Sequence, residues 1–128
     1  MNEVKRIRAL LADDEPHIRA LVKALLSKIG MDVVAEASNG VEAVDLFKSH
    51  QPDILFLDVN MPLKTGDEAL KEIMTISPDA CVVMLTSVSD MENVERCIEL
   101  GAANYIRKDT PLDEMKVIIG ELSPLCSR

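Results

Sequence analysis

Short apolar runs alternate along this chain with longer stretches in which apolar residues recur at helical spacing. The runs fall at 7–12, 32–37, 54–57, 81–85 and 104–106, and each has the length of a β-strand. The stretches between them place apolar residues at i, i+3, i+4 and i+7, as in Ile18, Leu21, Val22 and Leu25. This spacing is typical of amphipathic helices, so the pattern predicts five strand–helix units.

The two runs at 54–57 and 81–85 are apolar without interruption. Strands that are covered by helices on both faces have this composition, whereas strands with one face in water alternate. The pattern therefore predicts an α/β fold, (βα)5 and doubly wound, with a five-stranded parallel sheet between two helical layers. No linker-like stretch interrupts it, so we expect one domain over residues 1–128, with a core of about residues 5–122.

Polar residues with useful chemistry follow four of the five runs. Asp13 and Asp14 follow the first run, Asp58 the third, Thr86 the fourth and Lys108 the fifth. In an open parallel sheet, ligands bind beyond the carboxyl ends of the strands, where the strand order reverses. If the first and third strands are neighbours at that reversal, the three aspartates converge.

Three carboxylates in one crevice repel each other, and a hard divalent cation offsets that repulsion. Mg²⁺ suits such a site because it binds a few carboxylates and keeps several waters. A carboxylate can also act as a nucleophile that accepts a phosphoryl group. Such a transfer needs positive charge and positioning more than further covalent chemistry, and the metal, Lys108 and the Thr86 hydroxyl could supply both.

Each of these residues also has an ordinary structural explanation. The aspartates could be loop or turn acids, Thr86 a common strand-end residue and Lys108 a solvated side chain. A functional site is favoured by the joint pattern, in which the required residue types follow four strands in order. Loops at these positions also often carry function.

Composition narrows the function further. The formal net charge is -8, from 22 acidic and 14 basic residues, whereas direct nucleic-acid binding needs a basic surface. The three cysteines form no C-x-x-C motif, which disfavours a zinc site and suits free thiols in a reducing compartment. No stretch resembles a signal peptide or a membrane span, so we expect a cytoplasmic protein without membrane insertion.

Several segments together resemble the receiver domain of bacterial two-component response regulators, in particular single-domain receivers of the chemotaxis type. They are Leu11–Glu15, Ala37–Ala43, Pro52–Pro62, Gly66, Met84–Ser87 and Gly101–Lys108. The resemblance covers nearly the whole chain. It implies a flavodoxin-like sheet with the strand order 2-1-3-4-5. The apolar runs predict the five strands but not their order in the sheet.

The resemblance also implies roles. Asp58 corresponds to the phosphorylated aspartate, assisted by Thr86 and Lys108. The implied Mg²⁺ ligands are Asp13, Asp14, Asp58 and the main-chain carbonyl of Asn60, and the implied switch residues are Thr86 and Tyr105. The expected partners are a sensor histidine kinase or phosphotransfer protein and a downstream protein target. The chain would then be a signalling domain and not an enzyme, with self-phosphorylation and self-dephosphorylation chemistry.

The sequence departs from the family pattern in the loops. Asp109 follows Lys108 where many members have proline, and Thr65 precedes Gly66 where many have an acidic or amide residue. Asn60 and Val88 stand two residues after Asp58 and Thr86, and both should flank the water that hydrolyses an acyl phosphate. Asn60 can orient a water, whereas Val88 can only exclude one, so both should set the dephosphorylation rate.

Three other functions are disfavoured. A phosphatase of the haloacid dehalogenase type would need a second aspartate where Asn60 stands, and usually a longer chain. A nucleotide-binding flavodoxin-like domain would need a glycine-rich phosphate loop, and none occurs. A receiver that only binds partners would often lack the aspartate, threonine or lysine, and all three are present.

Overall fold

The computed structural model describes residues 6–126, with side chains described to residue 122. Five parallel strands form one sheet in the order β2-β1-β3-β4-β5, which confirms the predicted fold. The strands are β1 Arg8–Ala12, β2 Asp32–Ala37, β3 Ile54–Asp58, β4 Val82–Thr86 and β5 Asn104–Arg107. The helices are α1 Pro16–Lys28, α2 Gly40–His50, α3 Gly66–Ile76, α4 Val94–Glu99 and α5 Leu112–Cys126, and a 3-10 helix, Val88–Asn93, precedes α4.

The predicted strand ends were wrong by one residue at several places. β3 includes Asp58, β4 runs to Thr86 and β5 runs to Arg107. Asp58 pairs with Leu85 in the ladder, and Thr86 pairs with Arg107. The ladder bonds join main-chain groups, so these polar side chains do not end it. Asp58 and Thr86 are therefore held by the sheet itself and not by loops.

Apolar side chains alternate between the two faces of the sheet and form two separate cores. Leu10, Leu55 and Met84 pack with α2, α3 and α4 on one face. Leu11 and Phe56 pack with α1 and α5 on the other face. Because both faces are covered, β3 and β4 are buried along their whole length, which accounts for the uninterrupted apolar runs that lead up to Asp58 and Thr86.

The loop from β3 to α3 is closed by Gly66. Its main-chain N–H donates to the carbonyl of Val59 at 2.8 Å, and a Cβ added to Gly66 would overlap the carbonyl oxygen of Asp58. Next to it, the Thr65 hydroxyl donates to Glu68 Oε1 at 2.8 Å, and the same oxygen accepts from the Thr65 main-chain N–H at 3.1 Å. Thr65 thus departs from the family pattern, and the Glu68 carboxylate in the first turn of α3 accepts from both of its donors.

The cysteines differ from expectation. Cys81 is disulfide-bonded, so the prediction of free thiols is wrong for this residue. Cys97 is a buried free thiol, and the side chain of Cys126 lies outside those that the structure describes. Among the described residues, no helix is both long enough and apolar enough to cross a membrane.

The close approach of Gly66 to Asp58 predicts a large cost for a small substitution. Gly66→Ala should lower the free energy of unfolding by about 1–3 kcal/mol, because the added methyl must push the main chain of Asp58 aside. Gly120→Ala is the matched control, since no atom of the part that the structure describes lies within 4 Å of the added Cβ and alanine favours a helix by up to about 1 kcal/mol. Urea unfolding measures both, and equal stability of the two variants would contradict the prediction.

Candidate functional site

The predicted site residues meet at the carboxyl edge of the sheet. Asp13 directly follows β1, Asp58 and Thr86 end β3 and β4, and Lys108 directly follows β5. β1 and β3 are neighbours while β2 lies on the far side of β1, so the aspartates meet where the strand order reverses. Asp13, Asp58 and Thr86 are 0%, 1% and 0% exposed, which removes them from the screening effect of bulk water.

Asp13, Asp14 and Asp58 form an acidic cluster in which one ligand oxygen from each lies within 4.8 Å of the others. Asp14 is exposed at the rim and the other two lie beneath it. One oxygen of each buried aspartate is bonded, since Asp13 Oδ1 accepts from the Glu15 N–H at 2.9 Å and Asp58 Oδ1 from the Asn60 N–H at 3.2 Å. The Oδ2 atoms of Asp13 and Asp58 are buried without a hydrogen bond.

Lys108 carries the cation that faces this cluster. Its Nζ lies 2.8 Å from Asp13 Oδ2, 3.1 Å from Asp58 Oδ2 and 2.9 Å from Glu15 Oε1. Only the contact with Glu15 has hydrogen-bond geometry, so the two aspartates are held by charge at short range. The Lys108 main-chain N–H donates to the Thr86 carbonyl at 2.8 Å, which ties the lysine loop to the end of β4.

The loop after β5 contains no cis peptide bond, in common with the rest of the described chain. Arg107 Nη2 pairs with Asp109 Oδ2 at 2.6 Å, and the Thr110 N–H donates to the Arg107 carbonyl at 3.0 Å. The Lys108–Asp109 sequence therefore forms a closed turn in the trans form, where many members of the resembled family have proline.

Burial and charge shift the ionisation of the cluster. The pKa of Asp58 is raised to about 7, mainly by burial and also by the negative charge of Asp13, and Lys108 opposes both effects. Burial alone would lower the pKa of Lys108, but its contacts with Asp13 and Glu15 and the charge of Asp58 raise it above its ordinary value. The hydrogen bond from Lys108 lowers the pKa of Glu15. One ammonium thus leaves the carboxylates of this edge incompletely compensated.

The donor set fits a hard divalent cation. Two buried carboxylate oxygens lack a hydrogen bond, and a third carboxylate lies within 4.8 Å at the rim. Mg²⁺ prefers oxygen ligands and retains waters, which an exposed Asp14 at the rim allows. Asn60 lies in the loop just beyond Asp58, and its side chain is exposed. Its main-chain N–H donates to Asp58, which keeps the main chain of Asn60 close to the cluster.

Neither of the predicted switch residues, Thr86 and Tyr105, forms a hydrogen bond with the aspartates of the cluster. The buried Thr86 hydroxyl donates to the Ser87 carbonyl at 3.0 Å. Tyr105 is 38% exposed and lines a groove of about 350 Å³ with Met91, Val94 and Ile98. Val88 begins the 3-10 helix and is 61% exposed, so its side chain is accessible to water.

Sequence reasoning missed the contact between Glu15 and Lys108. Glu15 follows the two aspartates and precedes α1, where an acidic residue is common because it suits the helix dipole. Its carboxylate instead bonds a lysine 93 positions away. The only signal in the sequence is the position of both residues at strand ends of one predicted sheet edge.

Residues 9–120 match the family described as the response regulator receiver domain. The chemotaxis protein CheY of Bacillus subtilis is 38% identical over 108 residues, covering 84% of this chain and 90% of that protein. The CheY protein of Thermotoga maritima is 36% identical over 111 residues, covering 87% and 91%. Protein CcdB of Bacillus subtilis is 37% identical over 111 residues, with the same shares.

Solved structures agree with these sequence relatives. The REC domain of AraT, a response regulator from Geobacillus stearothermophilus, superposes with a TM-score of 0.86 at 27% identity, covering 94% of this chain and 95% of that one. The response regulator domain of Thermotoga maritima CheB gives a TM-score of 0.84 at 28% identity, covering 95% and 96%. The chain belongs to the family of response regulator receiver domains, the signalling domains of two-component systems.

Proposed function

We propose that this chain is a phosphorylation-activated switch in which Asp58 accepts a phosphoryl group in the presence of Mg²⁺. The observation that carries the proposal is the setting of the Asp58 carboxylate. It is buried at the reversal of strand order, one of its oxygens lacks a hydrogen bond, and that oxygen lies 3.1 Å from the Lys108 ammonium. A nucleophile, a cation and a metal-binding carboxylate cluster thus share one edge of the sheet.

The proposed reaction forms a bond between an Asp58 oxygen and phosphorus, while the bond from phosphorus to the donor breaks and its electron pair leaves with the donor. Asp13, Asp14 and Asp58 would hold Mg²⁺, together with the main-chain carbonyl of Asn60. When bound, the ion offsets negative charge on the phosphoryl oxygens. Lys108 donates to the same oxygens, and its fixed main chain orients the ammonium.

The phosphoryl group would then bias the shape of the protein. It places new negative charge beside the strand ends, and the Thr86 hydroxyl can exchange the Ser87 carbonyl for a phosphoryl oxygen. That movement opens space beneath Thr86, into which Tyr105 can turn from its present exposed position. The surface of α4, β5 and α5 changes as a result, and a ligand that favours one arrangement shifts the population toward it.

The proposed partners are a sensor histidine kinase or phosphotransfer protein as donor and a protein as downstream target. A net charge of -8 disfavours direct nucleic-acid binding. The homologues of this chain include proteins named for chemotaxis. We propose that this chain likewise acts in the cytoplasm, by binding a protein target. In this role the domain is a phospho-acceptor and not a turnover enzyme.

Asp58→Asn should abolish phosphorylation by a small phosphodonor such as acetyl phosphate with Mg²⁺. An amide lacks the nucleophilic carboxylate oxygen, so the loss should exceed about 100-fold. Intact-mass measurement should show one added phosphoryl group on the unchanged protein and none on the variant. Asp45→Asn, an exposed position on α2, is the control. Unchanged labelling of Asp58→Asn would place the acceptor elsewhere.

The raised pKa of Asp58 predicts a pH-dependent stability in metal-free buffer. The folded pKa of about 7 lies above the ordinary value of 3.8. The proton is therefore bound more tightly in the folded state, and the stability it contributes is present below about pH 4 and lost as pH rises through 7. Relative to Asp58→Asn, the unchanged protein should lose about 2–3 kcal/mol between pH 5 and 8.

Millimolar Mg²⁺ should restore most of that loss, because it binds the ionised cluster of the folded state. Urea unfolding of both proteins at pH 5 and pH 8, with chelator or with Mg²⁺, measures the effect. Parallel stability profiles for the two proteins, unaffected by Mg²⁺, would show that Asp58 is neither destabilised by ionisation nor part of a metal site.

The lifetime of the acyl phosphate should depend on Asn60 and Val88. Both side chains are exposed, with Asn60 in the loop after Asp58 and Val88 at the start of the 3-10 helix after Thr86, where we expect water to approach in line. Val88→Glu adds a group that can orient the water and should shorten the lifetime roughly fivefold, whereas Asn60→Leu should lengthen it, since positioning effects in such steps are large. Phosphate release from pre-labelled protein measures both, and changes below about twofold in each would contradict the placement.

A further inference from the structure

Glu15 accepts the one hydrogen bond made by the Lys108 ammonium among the described side chains. The Nζ···Oε1 distance is 2.9 Å, while the buried oxygens of Asp13 and Asp58 lie near without hydrogen-bond geometry. The Glu15 side chain is 45% exposed, against 0% and 2% for the two aspartates. One donor of the ammonium is thus bound to a carboxylate on the solvent side of the site, which belongs neither to the acceptor nor to the acidic cluster.

The main chain of Glu15 is fixed at the same time. Its N–H donates to Asp13 Oδ1 at 2.9 Å, and its carbonyl accepts from Ile18 and Arg19 at 3.1 and 3.0 Å at the start of α1. The bond between Glu15 and Lys108 can therefore break through rotation of the two side chains, without movement of the Glu15 main chain. Glu15 remains beside the site whether or not it holds the lysine.

A phosphoryl group on Asp58 competes with Glu15 for the same donor. The group adds negative charge at the Asp58 carboxylate, whose Oδ2 lies 3.1 Å from the Lys108 ammonium. The Lys108 ammonium has three N–H donors, and the donor that Glu15 accepts is not available to a phosphoryl oxygen. Charge-assisted hydrogen bonds are among the strong ones, so that donor serves the transfer only after its bond to Glu15 breaks.

We propose that Glu15 is a positioning residue that holds Lys108 in the resting protein and releases it when Asp58 is phosphorylated, so that Glu15 slows phosphoryl acceptance. This inference rests on the proposed function. It differs from a purely repulsive effect of one more negative charge, because it requires the bond between Glu15 and Lys108.

The first test compares rates of labelling by acetyl phosphate with Mg²⁺, followed by intact mass. Glu15→Gln weakens the bond and should raise the rate roughly three- to tenfold, the range for one charge-assisted bond that is partly exposed. Glu15→Asp keeps the charge but is one methylene shorter, so it should also raise the rate. Glu121→Gln, an exposed acid near the end of α5, should label at the unchanged rate.

The second test asks whether the effect passes through Lys108. In a Lys108→Ala background, Glu15→Gln should alter the rate by less than about twofold, because the partner is gone. The side-chain ammonium NMR signal of Lys108, recorded without phosphodonor or metal, should shift in Glu15→Gln and Glu15→Asp but not in Glu121→Gln. This readout also serves if the Lys108→Ala protein labels too slowly to measure, and an unshifted signal then overturns the inference.

The outcomes separate the two proposals. Normal labelling of the unchanged protein with unchanged rates in both Glu15 variants overturns the inference and leaves the proposed function standing. An equal acceleration by Glu15→Gln with and without Lys108 indicates repulsion alone and also overturns it. No labelling of Asp58 in the unchanged protein refutes the proposed function and the inference with it. Thermal unfolding verifies each variant, and if Glu15→Gln does not fold, Glu15→Asp provides the same comparison.

Discussion

The shortage of positive charge at the carboxyl edge of the sheet is the constraint on which the site depends. Asp13, Asp58 and Glu15 surround a single ammonium, and the two aspartates are almost completely shielded from water. Burial without a full complement of partners is costly for a carboxylate, and the raised pKa of Asp58 expresses that cost. The site therefore favours whatever brings positive charge, which makes it receptive to a divalent cation.

The fold maintains this unfavourable arrangement by rigid means. Asp58 is the last residue of a strand that is buried along its whole length, and Gly66 seals the following loop against its carbonyl. The Lys108 N–H is bonded to the Thr86 carbonyl, so the cation is anchored to a neighbouring strand end. The main chains that carry Asp58 and Lys108 cannot move apart without breaking these main-chain bonds or the packing, so the uncompensated negative charge remains available to a cation.

Much of this could be predicted from the sequence because the relevant signals are local. Apolar periodicity identifies the strands and helices, and the residues that follow each strand identify Asp13, Asp58, Thr86 and Lys108. Strand ends were less certain, since main-chain ladder bonds extend through a polar residue such as Asp58 as readily as through an apolar one. The bond between Glu15 and Lys108 joins residues 93 positions apart and depends on side-chain torsions, which periodicity does not encode.

The same pair of strands connects the charged edge to the outer surface. β4 ends in Thr86, β5 is followed by Lys108, and within their ladder Met84 pairs with Tyr105. A change in the partner of the Thr86 hydroxyl or of the Lys108 ammonium therefore acts on strands that also carry the exposed tyrosine. Packed elements of this kind respond by moving between discrete arrangements, because a dense core deforms little. For this domain, the proposed coupling between a buried charge and a distant surface would thus need no long relay, only two adjacent strands whose ends hold the charge-binding groups.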